Sequence, residues 1–175
     1  MVCMLYSLLI VYAYMPEETI SLRVLQTDSD QFFQHDGNRV RYQLLSELSV
    51  KKPNLILIHG FGNSLGTWES LAPKLSKAFN VYAIDMLGFG LSEKPVQYQY
   101  TNANQASVIQ SFAEVMGFDS FIVGGHSLGG AIAMHAAMID QKTQGLILFN
   151  PGIINTGVPE FSKYLNLIFP MSRIS

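Results

Sequence analysis

A single cysteine, Cys3, stands in 175 residues, so the chain has no disulfide framework of its own. It also lacks any Cys/His spacing suited to zinc. Charge is sparse. Asp, Glu, Lys and Arg make up 14% of the residues, the net charge is −2, and the 11 Lys and Arg are scattered without a cluster. That pattern excludes the basic stripe a nucleic-acid partner would require. There is no G-x-x-x-x-G-K-[ST] run, and no G-x-G-x-x-G opens a helix after a strand. No metal or nucleotide cofactor is expected. What the chain does have is apolar bulk, 49% of its residues, enough for one domain with one sizeable core.

The apolar run Val2–Met15 falls short of the roughly 20 residues that span a bilayer. A secretory signal would carry a charged leading region and small residues at a cleavage site. Here the first basic residue is Arg23, and Tyr12-Ala13-Tyr14 supplies no small flank. Met15-Pro16-Glu17-Glu18 resembles an ordinary cytosolic start. The expectation is a cytoplasmic protein, with membrane contact, tethering or export through residues 1–15 as the alternative.

Further along, Thr19–Gln26 alternates apolar and polar residues as a strand does. Phe32–His35, Asp36-Gly37-Asn38 and Arg39–Leu45 read as a hairpin, Asp-Gly supplying the positive-φ turn. Leu55–Ile58 is apolar on both faces, as a strand covered on both sides must be. Trp68, Leu71 and Leu75 fall at helical spacing, with Pro73 either kinking that helix or marking the start of its regular part. Val81–Ile84 is another short strand. A helix follows from Asn102, whose spacing to Gln105 resembles a capping box, and Gly117 ends it. Gly145–Phe149 gives a last strand, and Pro159–Pro170 has the spacing of a short amphipathic helix. Strands alternating with helices imply βαβ units and a parallel sheet. Ligands in such sheets sit at the carboxyl ends of the strands, where His59, Asp85, Ser127 and Asn150 all fall.

The chain is organised around Phe121–Ala131. An apolar strand enters Gly125-His126-Ser127-Leu128-Gly129, and a run of small and apolar residues, Ala131–Ile139, leaves it as a buried helix. Strand, tight turn and helix with a serine at the apex is the setting in which G-x-S-x-G means a nucleophile elbow.

Together with His59-Gly60-Phe61-Gly62 and the loop Asp85–Ser92, this motif resembles the α/β-hydrolase fold family, in its esterase, lipase and C–C hydrolase branch. The resemblance implies an α/β fold with a mostly parallel sheet, flanking helices and an N-terminal hairpin. It divides the chain into an apolar segment 1–15, an incomplete core 16–155 and the start of a lid at 156–175. Ser127 would be the nucleophile, and the backbone N–H groups of Phe61 and Leu128 the oxyanion hole. His59, Gly60 and His126 are placed at the substrate side of the site, with His59 bracing the oxyanion loop rather than serving as base. The function implied is attack on an ester or related carbonyl of a small molecule through an acyl-enzyme. C–C bond hydrolysis and a non-catalytic binding module are the alternatives. One departure is large. The family order is nucleophile, acid, histidine, and after Ser127 only Asp140, Glu160 and His135 are available, none suitably placed. The last two strands of the family sheet are also missing, which implies an impaired front portion of a longer hydrolase. Leu146–Phe149 would then be an unprotected edge strand.

Overall fold

In the computed structural model, which describes residues 22–152, six strands form one sheet in the order β1-β2-β4-β3-β5-β6. The hairpin of β1 (Gln31–His35) and β2 (Asn38–Leu44) is antiparallel. Asp36 and Gly37 connect its strands with φ of 49° and 78°, the twist a two-residue turn needs to match its strands. β2 runs antiparallel to β4 (Asn80–Ile84). β3 (Asn54–Ile58), β4, β5 (Phe121–His126) and β6 (Thr143–Phe149) are mutually parallel.

Parallel strands need crossovers, and these supply the layers that cover the sheet. The helix α2 (Asn102–Val115) and the helix α3 (Leu128–Ile139) pack with Ile56, Ile58, Ile84 and Val123 into one core around Phe112. Leu55 and Leu57 point the other way, as alternate strand residues must, and meet Leu65, Trp68 and Ala72 in a second core. All four residues Leu55–Ile58 are fully buried, which explains why that strand is apolar without a break.

Three local features differ from their sequence signals. Within the alternating stretch 19–26, Leu22–Leu25 is a 3-10 turn with Val24 exposed, and no described strand pairs with it. Alternation alone does not make a strand where no neighbour supplies hydrogen bonds. The helical spacing at 68–75 resolves into a 3-10 turn, Leu65–Trp68, and one turn of α-helix, α1 (Ala72–Leu75), with Pro73 in its first turn. Pro73 thus begins the regular part rather than kinking it, since its missing N–H costs nothing there. The cap of α2 is Thr101, whose hydroxyl accepts from Asn104 N–H at 3.1 Å. Gln105 instead donates its amide to the Leu87 carbonyl at 2.8 Å.

β6 pairs only with β5 among the described strands and so forms the second edge of the sheet. The apolar run 1–15 and the amphipathic stretch 159–170 lie outside the described residues. No helix among the described residues is long and apolar enough to cross a membrane.

Candidate active site

Ser127 sits between the end of β5 and the start of α3 with φ 51° and ψ −117°, a conformation that L-residues rarely adopt. The elbow is held from both sides. Ser127 N–H donates to the Phe149 carbonyl at 3.1 Å, and the Ser127 carbonyl accepts from Gly130 and Gly152 N–H at 3.0 and 2.8 Å. Two glycines of the motif are there because nothing larger fits. A Cβ on Gly125 would lie 2.1 Å from the Gly129 carbonyl oxygen, and one on Gly129 would lie 2.3 Å from that of Ile58. Their absence lets α3 close directly onto β3 and β5 beneath the serine.

The loop after β3 runs alongside. A Cβ on Gly60 would stand 3.4 Å from Ser127 Cβ and 3.0 Å from His126 Nδ1. Among the described residues neither the Phe61 nor the Leu128 N–H has an acceptor. The Phe61 side chain is 56% exposed and packs edge-on against Phe89 with ring centroids 5.7 Å apart.

His59 is 2% exposed, and both its ring nitrogens are engaged. Met86 N–H donates to Nε2 at 3.2 Å, so the proton lies on Nδ1, which donates to the Gly60 carbonyl at 2.8 Å. Burial pushes this imidazole below its ordinary value, against the opposing effects of the Gly60 carbonyl and the Asp85 charge. The ring is therefore neutral, with no nitrogen left for a substrate. The ring thereby ties the Gly60 carbonyl to the backbone at Met86.

Asp85, at the end of β4, is fully buried and ties three segments together. One carboxylate oxygen accepts from Leu65 N–H at 2.6 Å. The other accepts from Leu91 N–H at 2.8 Å and from Arg41 Nη1 at 3.1 Å. The Asp85 carbonyl takes the Ser92 hydroxyl at 2.6 Å, and that hydroxyl in turn accepts from Arg41 N–H at 2.8 Å. Gly90 passes so close to the Asp85 carboxylate that a side chain there would overlap it.

His59, Gly60, Ser127 and Leu128 are thus brought to one end of the parallel strands, with Asp85 bracing the loops around them. His126 is half-buried, and its Nδ1 has no partner among the described residues. His35 lies elsewhere, its Nδ1 2.8 Å from the Ser111 hydroxyl on α2. His135 sits part-way along α3, half-buried. No described histidine nitrogen is hydrogen bonded to the Ser127 hydroxyl. Asp30 and Arg41 drew no notice from sequence, although Arg41 Nε lies 2.5 Å from Asp30 and the guanidinium joins that carboxylate to Asp85. Their signal was faint: a charged side chain between Val40 and Tyr42 on a strand.

Comparison with known proteins adds a family and several relatives. A family model described as alpha/beta hydrolase fold matches residues 53–167. An uncharacterized protein of Mycobacterium tuberculosis is 33% identical over 134 residues, 76% of this chain and 37% of that protein. The 1-acylglycerol-3-phosphate O-acyltransferase ABHD5 of Mus musculus is 33% identical over 120 residues, 66% of this chain and 34% of that protein. The crystal structure of a membrane phospholipase A, a bacterial virulence factor, superposes with a TM-score of 0.66 and 32% identity. It covers 82% of this chain and 46% of its own. The chain spans about a third of the length of the curated relatives it matches.

Proposed function

Because the chain belongs to the α/β-hydrolase fold family, we propose that Ser127 is the nucleophile of a serine hydrolase acting on an acyl ester. The observation that carries this reading is the serine's positive φ of 51°, held above glycines where any Cβ would press on neighbouring backbone. Local strain of this kind costs about 1–3 kcal/mol and persists where the surrounding structure enforces it. A binding surface has no need of a strained serine. The names of two relatives, an acyltransferase and a phospholipase A, support an acyl carbonyl as the target.

In the proposed reaction the Ser127 hydroxyl oxygen bonds to the carbonyl carbon, and its proton passes to a base. The Leu128 and Phe61 N–H groups hold the oxyanion of the tetrahedral intermediate. Collapse expels the alcohol, which takes the proton back, and leaves an acyl-serine that water then hydrolyses. One preset donor of this kind is worth about 2.7–4 kcal/mol at the transition state. Among the described residues His59 is committed at both nitrogens and no other histidine nitrogen is bonded to the serine, so none of them is assigned as the base. That same observation favours a second reading, a non-catalytic small-molecule-binding module.

A fluorophosphonate probe separates the two. The hydrolase reading expects covalent labelling of the wild-type chain at Ser127 and none in Ser127→Ala. A folded wild-type chain that stays unlabelled would remove Ser127 as an activated nucleophile of this chain and leave the binding module.

A further inference from the structure

Arg41 touches neither Ser127 nor the loop beside it. It stands on β2, beyond β4 and β3 from the elbow strand, yet it is wired into the frame of the site. The loop that carries the Phe61 N–H has two anchors. His59 fixes one end, through the Gly60 carbonyl and Met86 N–H. Leu65 N–H fixes the other, on Asp85 Oδ1. Both anchors lead back to the end of β4, where the Asp85 carboxylate is held by Leu65 N–H, by Leu91 N–H and, as its one side-chain donor among the described residues, by the guanidinium of Arg41. Arg41 is in turn held at Nε by Asp30, whose carboxylate also takes the Gln43 amide at 2.6 Å.

We propose that Arg41 is a positioning residue for this site. Its planar fork joins Asp30 to Asp85, and Asp85 passes that fixed geometry to the loop presenting the Phe61 N–H. The fork matters as much as the charge. A guanidinium offers donors in fixed directions to two carboxylates at once, whereas an ammonium is a point charge that neutralises without orienting. A purely structural Arg41, needed only to offset a buried carboxylate, would be replaced adequately by lysine. A positioning Arg41 would not.

The test uses the full 175-residue chain as wild type, Arg41→Lys and Arg41→Met. Hydrogen exchange read by mass spectrometry is the first arm. In Arg41→Lys, peptides covering 59–66 and 85–92 should exchange about tenfold faster while those from α3 and β5 stay at the wild-type rate. Fluorophosphonate labelling is the second arm. The maximal inactivation rate should fall about tenfold with the half-saturating probe concentration unchanged, because a displaced donor weakens the transition state and not probe binding. Wild-type exchange in both loops of Arg41→Lys would overturn the proposal. So would uniform acceleration across the chain, or local loosening with an unchanged inactivation rate. If Arg41→Met fails to fold, Arg41→Lys alone decides. The labelling arm rests on the hydrolase reading of Ser127, and the exchange arm does not. An unlabelled wild type therefore strikes that reading only, and exchange still decides the role of Arg41.

Discussion

Replacing Gly129 with alanine adds one methyl group where α3 meets the carboxyl end of β3. That methyl carbon would stand 2.3 Å from the Ile58 carbonyl oxygen and 2.4 Å from that of His59. Comfortable contact lies near 3.3 Å or beyond, so the two backbones must part by about 1 Å. β3 cannot easily retreat. Ile58 is paired to Ile84 on one side and Gly125 on the other. The helix must therefore lift, which loosens the burial of Ile132, Ala133 and Ala136. Overpacking of this kind costs about 1–3 kcal/mol. Alanine's better helix propensity returns about 1 kcal/mol, so the net loss is up to about 2 kcal/mol. For a domain of this size that lowers Tm by up to about 8 °C. A displacement of about 1 Å at the elbow should also slow fluorophosphonate labelling about 100-fold. Thermal unfolding followed by far-UV circular dichroism measures the first effect, and labelling kinetics the second. Gly117→Ala is the control: its φ is 67° but a Cβ there meets nothing within 4 Å. It should cost about 1 kcal/mol with labelling unchanged. A Gly129→Ala chain as stable as wild type that also labels at the wild-type rate would refute the reasoning.

Ser127→Gly should raise stability by about 1 kcal/mol by releasing the positive-φ strain, while abolishing labelling; a lower urea midpoint would contradict the strain. Thr101→Ala should cost about 1 kcal/mol through loss of the cap on Asn104 N–H, and Thr101→Ser much less, as urea titrations of the pair would show. Stability should fall with pH in two stages. His59 is held below 6.5, so below that pH the unfolded chain binds a proton that the native ring refuses. Asp30 is next. Burial works to raise its pKa, but Thr27 N–H, Arg41 and Gln43 outweigh it and hold it below 3.8, so a second loss appears as pH drops through that value. Urea midpoints measured from pH 8 to 3 check both. His59→Asn should remove the first stage and leave the second.

Much of this was readable from sequence because its signals are local. The hairpin turn announces itself through Asp36-Gly37, the covered strand through four apolar residues in a row, and the elbow through glycines that sterics make obligatory. The three loops of the site follow from strand ends that a parallel sheet gathers at one edge. What escaped notice depends on partners distant in sequence. Arg41 looks like any polar residue on a half-exposed strand until Asp85 and Asp30 stand beside it. Thr101 rather than Asn102 caps α2, its hydroxyl accepting from Asn104 N–H, while Gln105 reaches the distant Leu87 carbonyl. The alternation at 19–26 carried no information about whether a neighbouring strand existed to receive it.

The strand order also sets a timetable for folding. β3 occupies the middle of the parallel strands, yet it is the first of them to be made. Ile58 must wait for Ile84 on one flank and for Gly125 on the other. At roughly 5–20 residues per second of synthesis, the second flank arrives several seconds after the first strand emerges. Closing so long a loop carries an entropic cost before any contact rewards it, so folding is governed by this late pairing. Through that interval Leu55–Ile58, fully buried in the finished protein, is an exposed liability. A ribosome-associated chaperone that shields short aliphatic runs would find its main client segment here, in the strand that later carries His59 and the loop beside Ser127.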